Sequence, residues 1–139
     1  MLKLHLGEDE SETYGDKANT TPGTVGSILE AKYGLYSAFF DYCSSEITGY
    51  LEEAMAKRLD SLLSRDDLSR AILEEVGTRI EDRFRWFLTS YEAESLGLPN
   101  TPTGAAMAGT GRKPVHRRRP SFVDTDLLKD AFRAWITEQ

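Results

Sequence analysis

Along the chain the apolar positions change period. Leu2, Leu4 and Leu6 alternate with polar Lys3 and His5, the period-two pattern of a short strand. One such segment cannot make a sheet, so its edge must be met by another part of the chain or by a partner. From Thr24 the spacing turns helical. Val25, Ile28, Leu29, Tyr36, Phe39, Phe40, Cys43, Ile47, Tyr50, Leu51, Met55, Leu59, Leu62 and Leu63 recur at steps of three and four, as one continuous stripe. Thr24 is the expected N-cap. A break is expected near Lys32–Gly34, because a glycine inside a helix costs about 1 kcal/mol relative to alanine. Gly49 is expected to permit the close approach of a neighbour.

Ser64 predicts the cap of a second helix, with Asp66 and Asp67 facing the positive end of its dipole. Leu68, Ile72, Val76, Ile80, Phe84, Phe87 and Tyr91 follow, mostly four apart, and the pattern stops near Ser95, before Gly97 and Pro99. Such a helix would be roughly 40 Å long at 1.5 Å per residue. Two long helices joined by a short turn make an antiparallel hairpin with facing apolar stripes. Residues 97–120 then carry four prolines and four glycines with no apolar period. Unstructured loops beyond about 12–15 residues are uncommon inside compact domains and are usually functional or disordered. In the last segment Asp124 or Thr125 can cap a helix whose Leu128, Ala131, Phe132, Trp135 and Ile136 share a face that must dock on something.

The expected fold is therefore mainly α. It has an N-terminal strand and acidic arm (1–23), a long antiparallel helical hairpin (24–96), a flexible Pro/Gly/Arg-rich basic loop (97–120) and a C-terminal docking helix (121–139). The 139 residues suit one domain, and 40% hydrophobic content with 10% aromatics is within reach of a globular core. No run approaches the about 20 apolar residues of a membrane span, and none suits a signal peptide. Residence in a reducing cytoplasm, away from membranes, is the resulting expectation. Cys43 is the sole cysteine, which leaves no internal disulfide and no cysteine cluster for zinc; in an apolar helical stretch it reads as a core residue.

The net charge of −6 argues against general attraction to nucleic acid, but it conceals a local exception. Arg112, Lys113, Arg117, Arg118 and Arg119 put five positive charges into eight residues, leaving 12 basic against 23 acidic residues elsewhere. This loop fits the acidic surface of an identical neighbour, such as Glu8, Asp9, Glu10 and Glu12, because the guanidinium fork holds carboxylates well. It also fits a DNA backbone, although no aromatic is interleaved to stack bases. A merely solvated loop is the third reading. His5 and His116, the only histidines, stand in no triad or metal spacing, and Gly104, Gly109 and Gly111 lack the strand and Gly-Lys-Ser/Thr ending of a phosphate loop. No catalytic residue, cofactor or metal site is expected, and the chain is read as a non-enzyme. Trp86 lies off the main stripe of its helix and is a candidate contact between subunits.

The run from Arg119 to Trp135, RPSFVDTDLLKDAFRAW, resembles the C-terminal signature of small structural proteins from the head–tail joining region of tailed bacteriophages. Asp124, Thr125, Leu127 and Leu128 match the family's turn into a helix, and Phe132 and Trp135 match the aromatic face beyond it. Asp126 stands where the family usually has glycine. The resemblance covers roughly 17 residues and implies a neck, tail-completion or connector subunit of the virion, assembled in the host cytoplasm. Its partners would be copies of itself in a ring-like homo-oligomer and neighbouring connector or tail proteins. Phe122, Asp124, Thr125, Leu127, Leu128, Phe132, Trp135 and Trp86 are then the expected contact residues, and the basic loop meets a neighbouring subunit or DNA. The competing readings are a nucleic-acid-binding accessory protein and a small cytoplasmic regulatory helical dimer.

Overall fold

The computed structural model describes residues 2–9, 21–64, 68–98 and 127–138. Strand β1 spans Leu2–Glu8. Helices α1 (Pro22–Tyr33), α2 (Leu35–Tyr42), α3 (Ser44–Leu63), α4 (Ser69–Thr89) and α5 (Glu92–Ser95) follow. A short α6 (Leu127–Ala131) then leads directly into strand β2 (Phe132–Glu138). The fold is mainly helical, with a strand near each end. No helix among the described residues is long and apolar enough to cross a membrane.

Helix α1 begins three residues before the expected Thr24. Thr21 is its cap, accepting from the Thr24 backbone N–H at 3.3 Å, and Pro22 occupies the first turn, where a missing N–H costs nothing. The break at Gly34 is as the pattern predicts: its φ of 63° and ψ of 37° lie in the left-handed region open to glycine. Glu30 then reaches across the break, accepting from the Tyr36 N–H at 2.7 Å and from the Ser37 N–H and hydroxyl. This carboxylate supplies the cap that α2 lacks at Gly34. Partial burial opposes its charge, but these hydrogen bonds outweigh it and hold its carboxyl below the ordinary 4.5.

The hairpin is formed by α3 and α4. Glu53 with Arg79, Lys57 with Glu75 and Arg58 with Ser69 run in opposite chain directions, which makes the pair antiparallel. Several details differ from the sequence reading. Ser64 closes α3, its N–H bonding the Asp60 carbonyl, while residues 65–67 lie outside the described residues. Helix α4 stops at Thr89, so it is roughly 30 Å long. Tyr91 takes φ 64°, and α5 is a separate turn. Gly49 has open space around it; the close approach belongs instead to Gly77, where a Cβ would collide with the Ala134 carbonyl oxygen.

The largest difference is at the C-terminus, where the expected helix ends at Ala131 and the chain continues as a strand. β2 pairs antiparallel with β1 from Leu2↔Glu138 to Glu8↔Phe132. The edge that the alternating leucines require thus comes from the other end of the same chain. Leu4, Leu6, Phe132, Ala134 and Ile136 face the helices, and Lys3, His5, Arg133, Trp135 and Thr137 face outward. The core is aromatic: Phe132 stacks on Phe84 at 4.0 Å between centroids, and Phe39 meets Phe84 edge-on at 5.0 Å. Leu35, Cys43, Ile47, Val76, Ile80 and Phe87 complete it. Cys43 is buried as expected, and burial pushes its thiol up to about 11, with the Arg83 charge opposing.

Candidate functional site

Two features set the chemistry of this surface: the ribbon of β1 and β2, and apolar side chains left outside the core. The ribbon's two edges are unlike. On the β2 side, the Ala134 N–H donates to Glu81 Oε1 at 3.0 Å and the Ala134 carbonyl lies against Gly77, so α4 covers that edge. Since the Ala134 backbone groups turn toward α4, Ala134 and Leu6 are a non-hydrogen-bonded pair of the antiparallel ladder. Asp9 N–H donating to the Ala131 carbonyl at 2.6 Å has the matching parity. The same parity turns the backbone groups of Leu2, Leu4 and Leu6 to the far side of β1, where no described strand receives them.

Beyond that open edge lies a groove of about 450 Å³ between β1 and the α2–α3 run. Leu2, Leu4, Leu6, Phe40, Ile47 and Leu51 line it, with Ser44 and Thr48. On the outward face of the ribbon the Trp135 ring stacks on His5 at 5.4 Å and covers Gly7, and His5 Nε2 hydrogen-bonds Thr137 Oγ1 at 2.8 Å. Trp135 also walls a wider groove of about 750 Å³, whose opposite side carries Arg58, Arg70 and Leu73.

Where β1 ends, Tyr36 donates its hydroxyl to Glu8 Oε1, while Glu8 Oε2 is buried with no hydrogen-bond partner. Burial raises the Glu8 carboxyl from 4.5 to about 7, against the Tyr36 hydrogen bond and the Arg133 charge, which both lower it.

No family model matches the chain, and no significant similarity to a curated protein or a solved structure is found.

At the hairpin tip Leu59, Leu62, Leu63 and Leu68 are 60, 65, 77 and 54% exposed, and Met55 continues the patch along α3. The single stripe read from the sequence accounts for this. Steps of four residues advance 40° around a helix, so Ile47, Leu51, Met55 and Leu59 spiral from the buried side to the open one. Of the predicted contact residues, Trp86 is 61% exposed on α4 and Trp135 is 46% exposed on the ribbon. Leu128 and Phe132, expected at a contact between proteins, fill the chain's own core instead. Their docking partner is the hairpin, through Phe84 and its neighbours. Leu127 opens α6. Phe122, Asp124, Thr125, Arg112, Lys113, Arg117, Arg118 and Arg119 lie outside the described residues, as does His116.

The sequence reading passed over Glu81 and Gly77, took Tyr36 only as part of the apolar stripe, and set Glu8 on an acidic surface for a neighbour, whereas its carboxyl turns inward onto Tyr36. A buried acid at the end of an alternating strand carries no local signature. The approach of Gly77 to Ala134 joins residues that only the ribbon brings together. The hairpin's flank is closed by charge: Arg83, its side chain 11% exposed, holds Glu46 at 2.8 Å and Glu92 at 2.7 Å, and Arg79 lies over the Tyr50 ring at 4.2 Å.

Proposed function

We propose that this chain is a structural assembly protein that acts by contacting copies of itself and neighbouring proteins, as a connector or tail-completion subunit at the head–tail joint of a tailed phage. The observation that carries the assembly reading is the cluster of exposed Leu59, Leu62, Leu63 and Leu68 at one end of the α3–α4 hairpin. Such a contiguous apolar surface marks an interaction site rather than scattered surface hydrophobicity. Trp86 and Trp135 add aromatic anchors of the type enriched where binding energy concentrates. The assignment to the head–tail joint rests on the sequence resemblance of residues 119–135.

The ion pairs along α3 and α4 support the same division of labour. Glu53 with Arg79 and Lys57 with Glu75 bridge α3 to α4 along the hairpin, apart from its apolar tip. The test is complementation in a phage genome that encodes this sequence. Loss of the chain is expected to leave filled heads and finished tails unjoined. Wild-type chain restores joining, and the Leu59→Glu, Leu62→Glu double variant, whose changes lie on exposed positions, does not. Complete infectious particles without the chain would refute the proposal.

A further inference from the structure

We propose that the open edge of β1 receives β1 of a second copy, antiparallel, so that two chains share a four-stranded sheet in the order β2–β1–β1–β2. Three observations converge on this occupant. The backbone groups of Leu2, Leu4 and Leu6 face away from β2, where no strand among the described residues meets them, and unpaired strand edges recruit other strands. The groove beside that edge is apolar. An added strand places alternate side chains on the groove's side, and β1 itself supplies leucines at that alternation.

Charge then selects the orientation. Lys3, exposed and with no ion pair among the described residues, lies at one end of the strand, and Asp9, which Arg133 already holds at 3.3 Å, lies at the other. A parallel copy sets like charges side by side. An antiparallel copy sets opposite ones together. The register with full overlap puts Leu4 opposite Leu6 of the partner subunit and Lys3 opposite Gly7 of the partner subunit, diagonal to Asp9 of the partner subunit. There the ammonium also meets the Trp135 ring that covers Gly7. Lysine on an edge strand ordinarily guards against indiscriminate pairing. Here it discriminates among registers and leaves this one open. At Ala134 α4 covers the β2 edge, so among the described residues β1 carries the edge open along its length, and the pairing closes at two copies about a twofold axis.

The inference stands apart from the phage assignment, since a chain that stayed monomeric could still join heads to tails through its hairpin tip. The test uses the full chain, with mass measured by light scattering across a wide concentration range. Hydrogen exchange is followed at the Leu4 and Leu6 amides. Wild type is expected to form a dimer in which both amides exchange slowly. Lys3→Glu, at an exposed position that leaves the helical circular dichroism unchanged, is expected to weaken the dimer by about tenfold or more and to free both amides. Four outcomes overturn the proposal: a monomer at every concentration, a dimer as tight in Lys3→Glu as in wild type, a dimer whose Leu4 and Leu6 amides exchange freely, or a monomer whose edge takes only a strand of different sequence.

Discussion

Replacing Glu8 with glutamine should stabilise the protein at alkaline pH and leave it unchanged in acid. The carboxyl sits against α1 with Oε2 unpartnered, and its pKa in the folded chain is about 7 against an ordinary 4.5. Below about 4.5 both folded and unfolded chains hold the proton, and Glu8 imposes no cost. Between 4.5 and 7 the unfolded chain releases it first, so stability falls as pH rises. Above 7 both states are ionised and the full penalty stands. The gap corresponds to about 3 kcal/mol at 1.36 kcal/mol per pH unit, and solvent on the open side of the neighbouring pocket reduces the expected gain to about 1–2 kcal/mol. The charged and titratable groups facing Glu8 are Tyr36, Glu30 and Arg133, all retained in the variant. Urea unfolding of wild type and Glu8→Gln at pH 4 and pH 8.5, followed by circular dichroism, isolates the effect as a difference between two chains that otherwise titrate alike. Equal stability at pH 8.5, or a variant weaker there than wild type, would refute the reasoning, because it would mean that the ionised carboxylate is well solvated or paired.

Gly77→Ala should destabilise the fold by about 1–3 kcal/mol in urea unfolding, since the new methyl group meets a backbone carbonyl that can move only by displacing β2 from α4. A neutral result would show that the ribbon is loosely held. Arg83→Ala should cost about 1–3 kcal/mol, because it removes charge-assisted hydrogen bonds to both Glu46 and Glu92 at a largely enclosed position; thermal unfolding at low and high salt checks it.

The helical elements were legible because their signals are local. Gly34 breaks the stripe by its own backbone preference, and the apolar spacing from Ile72 to Phe87 needs nothing beyond α4 to be read. The C-terminal strand was not legible. In residues 132–138, Phe132, Trp135 and Ile136 fit a helical face, while Phe132, Ala134 and Ile136 fit an alternating one. Phe132 and Ile136 satisfy both periods, and the choice is made by the distant leucines of β1. The exposed tip was hidden for a related reason: steps of four look like one stripe on paper but drift around a real helix. At the site, Trp86 could be picked out because it lies off its helix's apolar stripe and Trp135 because it shares an apolar face with Phe132, whereas Glu8 and Gly77 derive their roles wholly from tertiary neighbours.

The ribbon also imposes a timetable on biosynthesis. His5 and Thr137, which bond across it, are 132 positions apart. At a translation rate of ~5–20 residues per second, β1 therefore waits roughly 7–25 s for its partner strand to be made. Through that interval the leucine-alternating segment has no β2 to pair with. Neighbouring nascent chains on one message, or a chaperone that shields extended segments, would meet it before β2 does.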